Sequence, residues 1–185
     1  HTEFKDSELG RIPESWEVVT LNKYCNIFMS NVDKKSNSEE EKVLLCNYMD
    51  IYNNNYITNE ISFMEATASS IQIEKFSLNV GDIMITKDSE TKFDIARSSV
   101  VIENLQNVLC GYHLALIKPD KNKFNSIFLT KIFDLDLYRN QLINKANGTT
   151  RFGLNVSTIE NFLIPFPPLE EQKQIAEILS TVDNK

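Results

Sequence analysis

Leu154-Asn155-Val156-Ser157-Thr158-Ile159-Glu160-Asn161-Phe162-Leu163-Ile164-Pro165-Phe166-Pro167-Pro168-Leu169-Glu170-Glu171-Gln172-Lys173-Gln174-Ile175-Ala176 is the stretch that decides how this chain is built. Ser157 and Glu160, three apart, have the spacing of a capping box and predict a helical turn. That turn cannot continue through Phe162-Leu163-Ile164-Pro165-Phe166-Pro167, because a residue before proline is pushed out of the helical region. The expected path is a turn, an extended exit, and a second helix. Pro168 suits the first turn of that helix, and Glu170 and Glu171 suit its positive end. From there Leu169, Gln172, Ile175, Ala176, Leu179 and Val182 form one face at helical spacing. The pattern is still running where the chain stops, which predicts a partner helix or a continuation. The alternative is a short terminal helix docked on its own domain.

Upstream the pattern is one of short strands. Ile12-Pro13-Glu14-Ser15-Trp16-Glu17-Val18-Val19 reads as an extended entry into a strand, with Trp16 as a packing anchor, and Leu21 to Met29 continues it. Asn31 to Lys42 is polar and reads as an exposed loop. Val43-Leu44-Leu45-Cys46 reads as a buried strand, Asn53-Asn54-Asn55 as a turn, and Ile71 and Ile73 alternate with polar neighbours. Gly81 opens a strand through Thr86; Val100-Val101-Ile102 and Leu114-Ala115-Leu116-Ile117 are two more, the last stopped by Pro119-Asp120. Short strands with polar connections predict a sheet-rich body. A helix then runs from Ser126, as its cap, to about Lys145, with Leu129, Ile132, Phe133, Leu142 and Ile143 at helical spacing and Gly148 as terminator. The expected fold class is α+β. A sheet-rich domain covers residues 1–166, with 1–4 read as a tag remnant, and residues 167–185 begin a long helix of coiled-coil type.

The 185 residues, 42% hydrophobic, suffice for one cored domain plus an appendage. No apolar run approaches the ~18 residues of a membrane span. The opening His1-Thr2-Glu3-Phe4 has neither the basic start nor the apolar core of a secretory signal. Cys25, Cys46 and Cys110 are an odd number at wide spacings, which points away from a disulfide framework and toward a reducing cytoplasm. The net charge of −7 argues against a plain nucleic-acid binder. Its distribution qualifies that. Residues 1–83 hold 7 basic and 14 acidic side chains, residues 84–155 hold 10 and 7, and residues 156–185 hold 2 and 5. Contacts to a polyanion must therefore lie mainly in the middle segment.

Three passages resemble the specificity subunits of type I restriction-modification systems. Gly10-Arg11-Ile12-Pro13-Glu14-Ser15-Trp16-Glu17-Val18 looks like the opening of their target-recognition domain. Gly81-Asp82-Ile83-Met84-Ile85-Thr86-Lys87-Asp88-Ser89-Glu90, with Cys110-Gly111-Tyr112-His113-Leu114-Ala115-Leu116 downstream, looks like one subgroup of these domains. The quoted passage from Leu154 to Ala176 is the most specific, resembling the point where the family leaves the domain and enters its long helix. The resemblance implies a non-enzymatic subunit that binds double-stranded DNA. In the family two recognition domains usually alternate with two helices that pair antiparallel, and each domain reads one half of a split target. The subunit binds two DNA methyltransferase subunits and, for cleavage, restriction subunits. S-adenosylmethionine, ATP and Mg²⁺ are expected only in those partners. One unit without internal repeat implies a natural half-subunit, able to pair with a second copy through its helix, or a fragment; the unfinished helix favours a fragment.

Within that frame three loops are candidates for DNA contact. The first holds Lys87, Asp88, Ser89, Glu90, Lys92 and Arg97, offering donors for phosphates and carboxylates that can accept from a cytosine amino group. Tyr112 and His113 follow Gly111, a residue that permits unusual backbone angles. Thr149, Thr150, Arg151 and Asn155 lie in a glycine-flanked polar loop suited to phosphate contact. A solvated loop, a packed aromatic with a satisfied histidine, and a connecting turn are the plainer readings of the three. The leading alternative function is a metal-dependent nuclease, with Asp82 and Glu90-x-Lys92 gathered on Mg²⁺. Cys110 and His113 stand at ligand-like spacing for zinc, with Cys25 or Cys46 to join them, but a second close pair is missing. For methyl transfer, Pro167-Pro168 lacks the preceding amide or acid and the following aromatic ring.

Overall fold

The computed structural model describes residues 1–183, with side-chain surroundings given as far as Thr181. The Val182 position of the predicted helix face lies outside the described side chains. The strands are β1 (Phe4–Ser7), β2 (Gly10–Pro13), β3 (Glu17–Thr20), β4 (Cys25–Met29), β5 (Glu41–Cys46), β6 (Tyr56–Ile57), β7 (Met64–Ala68), β8 (Ile83–Thr86), β9 (Asp88–Ser89), β10 (Ser98–Val101), β11 (Val108–Cys110), β12 (Leu114–Pro119), β13 (Phe152–Gly153) and β14 (Leu163–Phe166). The helices are α1 (Tyr48–Asn53), α2 (Ser70–Phe76), α3 (Ser126–Asp134), α4 (Asp136–Lys145), α5 (Val156–Glu160) and α6 (Leu169–Asp183).

A five-stranded sheet in the order β4-β12-β8-β10-β6 forms the centre, antiparallel except where β6 runs parallel to β10. Its middle strands are buried on both faces, which explains why Leu114-Ala115-Leu116-Ile117 is apolar without alternation. Successive side chains point to opposite faces. Ile83, Ile85, Ala115 and Ile117 pack with Phe128, Leu129, Phe133 and Leu142 of α3 and α4. Met84, Leu114 and Leu116 face a second, three-stranded sheet, β11-β5-β7, through Val43, Leu45 and Val108. The domain is a central sheet sandwiched between helices and a smaller sheet, an α+β arrangement as expected.

Local differences from the sequence reading have local causes. Leu21–Lys23 is a 3-10 turn, so β4 begins only at Cys25. Ile71 and Ile73 lie on α2, where Ser69 and Gln72 form a reciprocal capping box. The single helix expected over 126–145 is two, because Leu135 adopts an extended conformation (φ −79°, ψ 118°). Asn125, not Ser126, caps α3, accepting from Phe128 N at 2.9 Å; the Ser126 hydroxyl donates to the Gly81 carbonyl at 2.7 Å. Asn155, not Ser157, caps α5, accepting from Thr158 N at 2.8 Å. Gly148 does not terminate α4. It turns a tight loop at φ +137°, where a Cβ would stand 1.8 Å from the Arg151 carbonyl.

The exit segment is built into this body. β14 pairs antiparallel with β3, joining Leu163–Phe166 to Glu17–Thr20. Beside it Tyr24 stacks on Phe166 and Phe124 meets both edge-on, with ring centroids 5.1–6.2 Å apart. The α6 face named for a partner helix packs on the chain's own α3. Ala176 is buried in the core and Ile175 lies against it, while Leu169 and Leu179 are half-buried. Gln172 is 0% exposed. Its amide accepts from Asn125 N at 3.0 Å and donates to the carbonyls of Lys123 at 3.0 Å and Pro167 at 2.9 Å.

Candidate nucleic-acid interface

The three loops singled out in the sequence meet at one end of the central sheet. β13 pairs antiparallel with β9, setting Phe152 opposite Ser89 and Gly153 opposite Asp88. Leu154 N donates to the Lys87 carbonyl at 2.8 Å, and Lys87 N donates to the His113 carbonyl at 3.1 Å. The loop between α4 and β13 is closed by paired backbone bonds between Asn147 and Gly153. This brings the Arg151 tip onto the Asp88 strand.

Asp88 is the electrostatic centre of the surface. One carboxylate oxygen accepts from Arg151 Nη2 at 2.7 Å and Nε at 3.1 Å, and lies 2.7 Å from His113 Nδ1. Arg151 Nη2 also lies 3.1 Å from His113 Nδ1, so the three side chains meet at one point. The hydrogen bond to Asp88, then its charge, holds the Arg151 guanidinium still more firmly protonated than usual. A cleft of about 290 Å³ opens beside the trio, lined also by Tyr48, Ser89, Glu90, Thr91 and Asp94. Glu90 is exposed at its wall, and Lys92, Arg97, Tyr112, Thr149 and Thr150 are exposed on the same loops. Lys92 Nζ stands 5.3 Å from the Phe152 ring centre, and the Arg97 guanidinium 5.7 Å from that of Tyr52.

Other candidates turn inward. Lys87 is half-buried; its Nζ donates to the Ser30 carbonyl at 2.6 Å and lies 4.7 Å from the centre of the Tyr112 ring. Burial lowers its pKa from the usual lysine range. Ser89 is buried, its hydroxyl 3.2 Å from that of Tyr48 and accepting from Thr91 N at 3.3 Å. Asn155 uses its side chain as the α5 cap. Gly111 has no left-handed backbone angle; it is confined by space, since a Cβ there would stand 2.8 Å from the Cys46 carbonyl.

Sequence reasoning missed the stacked pair Tyr48 and Tyr52, whose ring centroids are 5.8 Å apart on α1. The signal was present: Asn47 with Asp50 three residues on is a capping box, and tyrosines at i and i+4 share a helix face.

The nuclease constellation does not form. Asp82 sits at the start of β8 and Glu90 beyond its end, so the strand holds them apart. Asp82 is buried, accepting from Lys118 Nζ at 2.9 Å and Asn79 N at 2.9 Å. Among the described residues no group of three histidine, cysteine or acidic side chains is placed to hold a metal ion. The zinc reading fails on the same count. Cys46 and Cys110 lie opposite each other across β5 and β11, while His113 is taken by Asp88. All three thiols are buried, and burial raises their pKa values, Cys25 to about 12. Protonated thiols are poor ligands.

The loops gather cations, carboxylates and tyrosines at one end of the central sheet, an arrangement suited to binding. The chain belongs to the family of the type I restriction modification DNA specificity domain, whose model matches residues 13–185. That family comprises the non-catalytic specificity subunits of type I restriction-modification systems. The sequence assigned as the type I restriction enzyme MjaX specificity subunit of Methanocaldococcus jannaschii is 28% identical over 184 residues, covering 98% of this chain and 42% of that protein. The EcoKI specificity subunit of Escherichia coli is 24% identical over 180 residues, covering 94% and 37%. The chain thus spans about two-fifths of the length of these relatives. The HsdS subunit of Thermoanaerobacter tengcongensis has the same fold, with TM-score 0.61 at 18% identity over 98% of this chain and 40% of that one. A chain from a structure of type I R-M complex assembly superposes with TM-score 0.65 at 18% identity, covering 94% and 39%.

Proposed function

We propose that this chain is the DNA sequence-recognition element of a type I restriction-modification complex and reads one half of a split double-stranded target. The pairing of β13 with β9, together with the bond from Lys87 N to the His113 carbonyl, carries the reading, because it makes one surface of three loops that are far apart in the sequence. On that surface Lys92, Arg97, Thr149, Thr150 and Arg151 fix the register on phosphates, while Asp88, Glu90, Tyr112 and His113 face base edges. Catalysis belongs to partners. DNA methyltransferase subunits hold S-adenosylmethionine, and restriction subunits hold ATP and Mg²⁺. Docking involves the helix side of the domain and α6, and a second copy or second half of the specificity subunit meets it there. The setting is the cytoplasm; no helix among the described residues is long and apolar enough to cross a membrane.

The test uses the assembled methyltransferase complex carrying Lys92→Ala, Arg97→Ala and Arg151→Ala together. Methylation of the target is expected to fall, and affinity to become less dependent on salt, as phosphate contacts are lost. Unchanged methylation of the same site overturns the proposal.

A further inference from the structure

Resting on that reading, we infer that Phe93 is a specificity-determining side chain that packs against a thymine 5-methyl group in the major groove. Phe93 is 75% exposed on a 3-10 turn, Lys92–Asp94, within the first loop. A lone exposed aromatic on a mobile loop would mean little. This turn is held from every side. Asp94 accepts from the Thr86 hydroxyl at its carbonyl (2.5 Å), and at its carboxylate from Thr91 Oγ1 (2.7 Å) and the Tyr52 hydroxyl (3.2 Å). Ile95 and Ala96, immediately downstream, are fully buried.

Phe93 is itself gripped by its backbone. Arg139, 7% exposed on α4, donates Nη2 to the Phe93 carbonyl at 3.0 Å. Its Nε is buried without a hydrogen-bond partner. Its Nη2 also lies 3.8 Å from Asp136 Oδ1, so the guanidinium ties the Phe93 carbonyl to α4 and acts as a positioning residue for the turn. The backbone of Phe93 is fixed and its ring is left in water.

The neighbours say what the ring meets. Lys92 and Arg97, both exposed, bracket it with phosphate-binding charge. An apolar ring delivered between two such contacts reaches base edges. In the major groove the apolar feature on those edges is the thymine methyl, which phenylalanine contacts well. Tyrosine or histidine would bring a polar atom there and phenylalanine brings none.

The experiment measures target-duplex affinity of the assembled complex, wild type against Phe93→Ala and Phe93→Leu, with thymine or uracil in this domain's half-site. Uracil removes only the methyl. Wild type is expected to lose about fourfold in affinity per contacted methyl. Phe93→Ala should bind the thymine duplex several-fold more weakly and show no thymine preference, and Phe93→Leu should keep part of it. Thermal melting of the variants should match wild type, because the ring is exposed. A half-site without thymine, an equal uracil penalty in Phe93→Ala, or no effect of either substitution overturns the inference. If Phe93→Ala is silent while Arg151→Ala weakens binding, this inference fails alone. If both are silent, the DNA-recognition reading fails with it.

Discussion

The exit segment from Asn155 to Ala176 and the loop surface around Asp88 use the same residue types in opposite ways. In the exit segment polar side chains are buried or tied to backbone. Gln172 is enclosed with three hydrogen bonds, and Asn155 closes a helix end. On the loop surface the charges stay in water and pair with one another, as Arg151 does with Asp88. The first arrangement costs much to disturb, since a buried group deprived of partners loses its solvation as well. The second costs the fold little. The exit segment is therefore fastened by buried polar contacts, and the loop surface is not.

Gln172→Ala is the strongest test of that contrast. It orphans Asn125 N and the Lys123 and Pro167 carbonyls at once, and should cost about 3 kcal/mol in chemical unfolding. Affinity for DNA in the folded complex should hold. A loss below about 0.5 kcal/mol would mean that α6 is held elsewhere.

Arg151→Ala should do the reverse. Its exposed guanidinium adds little to the fold, so melting should not move. Affinity should fall about tenfold, and the slope of log affinity against log salt should shrink by about one. A shifted melting temperature with an unchanged slope would make the Arg151–Asp88 pair a loop clasp and nothing more.

The sequence made the fastening legible and the surface only in part. Prolines at 165, 167 and 168 impose backbone conformations by themselves, so the extended exit and the start of α6 could be read directly. The buried run at β12 was visible from its unbroken apolar residues. What hid was long-range. Nothing near Lys87 signals that its amine reaches Ser30, fifty-seven residues away in the chain. The break at Leu135 is equally silent, because leucine is a good helix former and only packing of α3 and α4 imposes the extended angle. The capping-box spacing at Ser157 misled because Asn155, two residues earlier, competes for the same role and wins.

That competition gives a smaller test. Asn155→Ala removes the α5 cap and should cost about 1 kcal/mol of stability. Asn155→Asp should restore it, since a carboxylate caps as well. DNA affinity at matched folding should be the same for Asn155→Ala and wild type. Lost affinity without lost stability would return Asn155 to the interface.

Lys87 is the sharpest case because it lies within a loop proposed to meet DNA, yet its amine is tied to the Ser30 carbonyl. Lys87→Met should lower stability near neutral pH by only about 0.5 kcal/mol, the net worth of a hydrogen bond partly offset by relief of burying an amine. The salt slope for DNA should not change, in contrast to Arg151→Ala. Burial holds the folded amine's pKa below that of the unfolded chain. Between those two values the unfolded state binds more protons, so wild type should gain stability relative to Lys87→Met as the pH rises through the lowered value toward the ordinary lysine pKa of about 10.4. Parallel unfolding titrations of the two proteins across that alkaline window decide it. If the wild type instead loses ground as pH rises, the amine is stabilised in its charged form, and Lys87 belongs with Arg151 on the side of the molecule that meets phosphate.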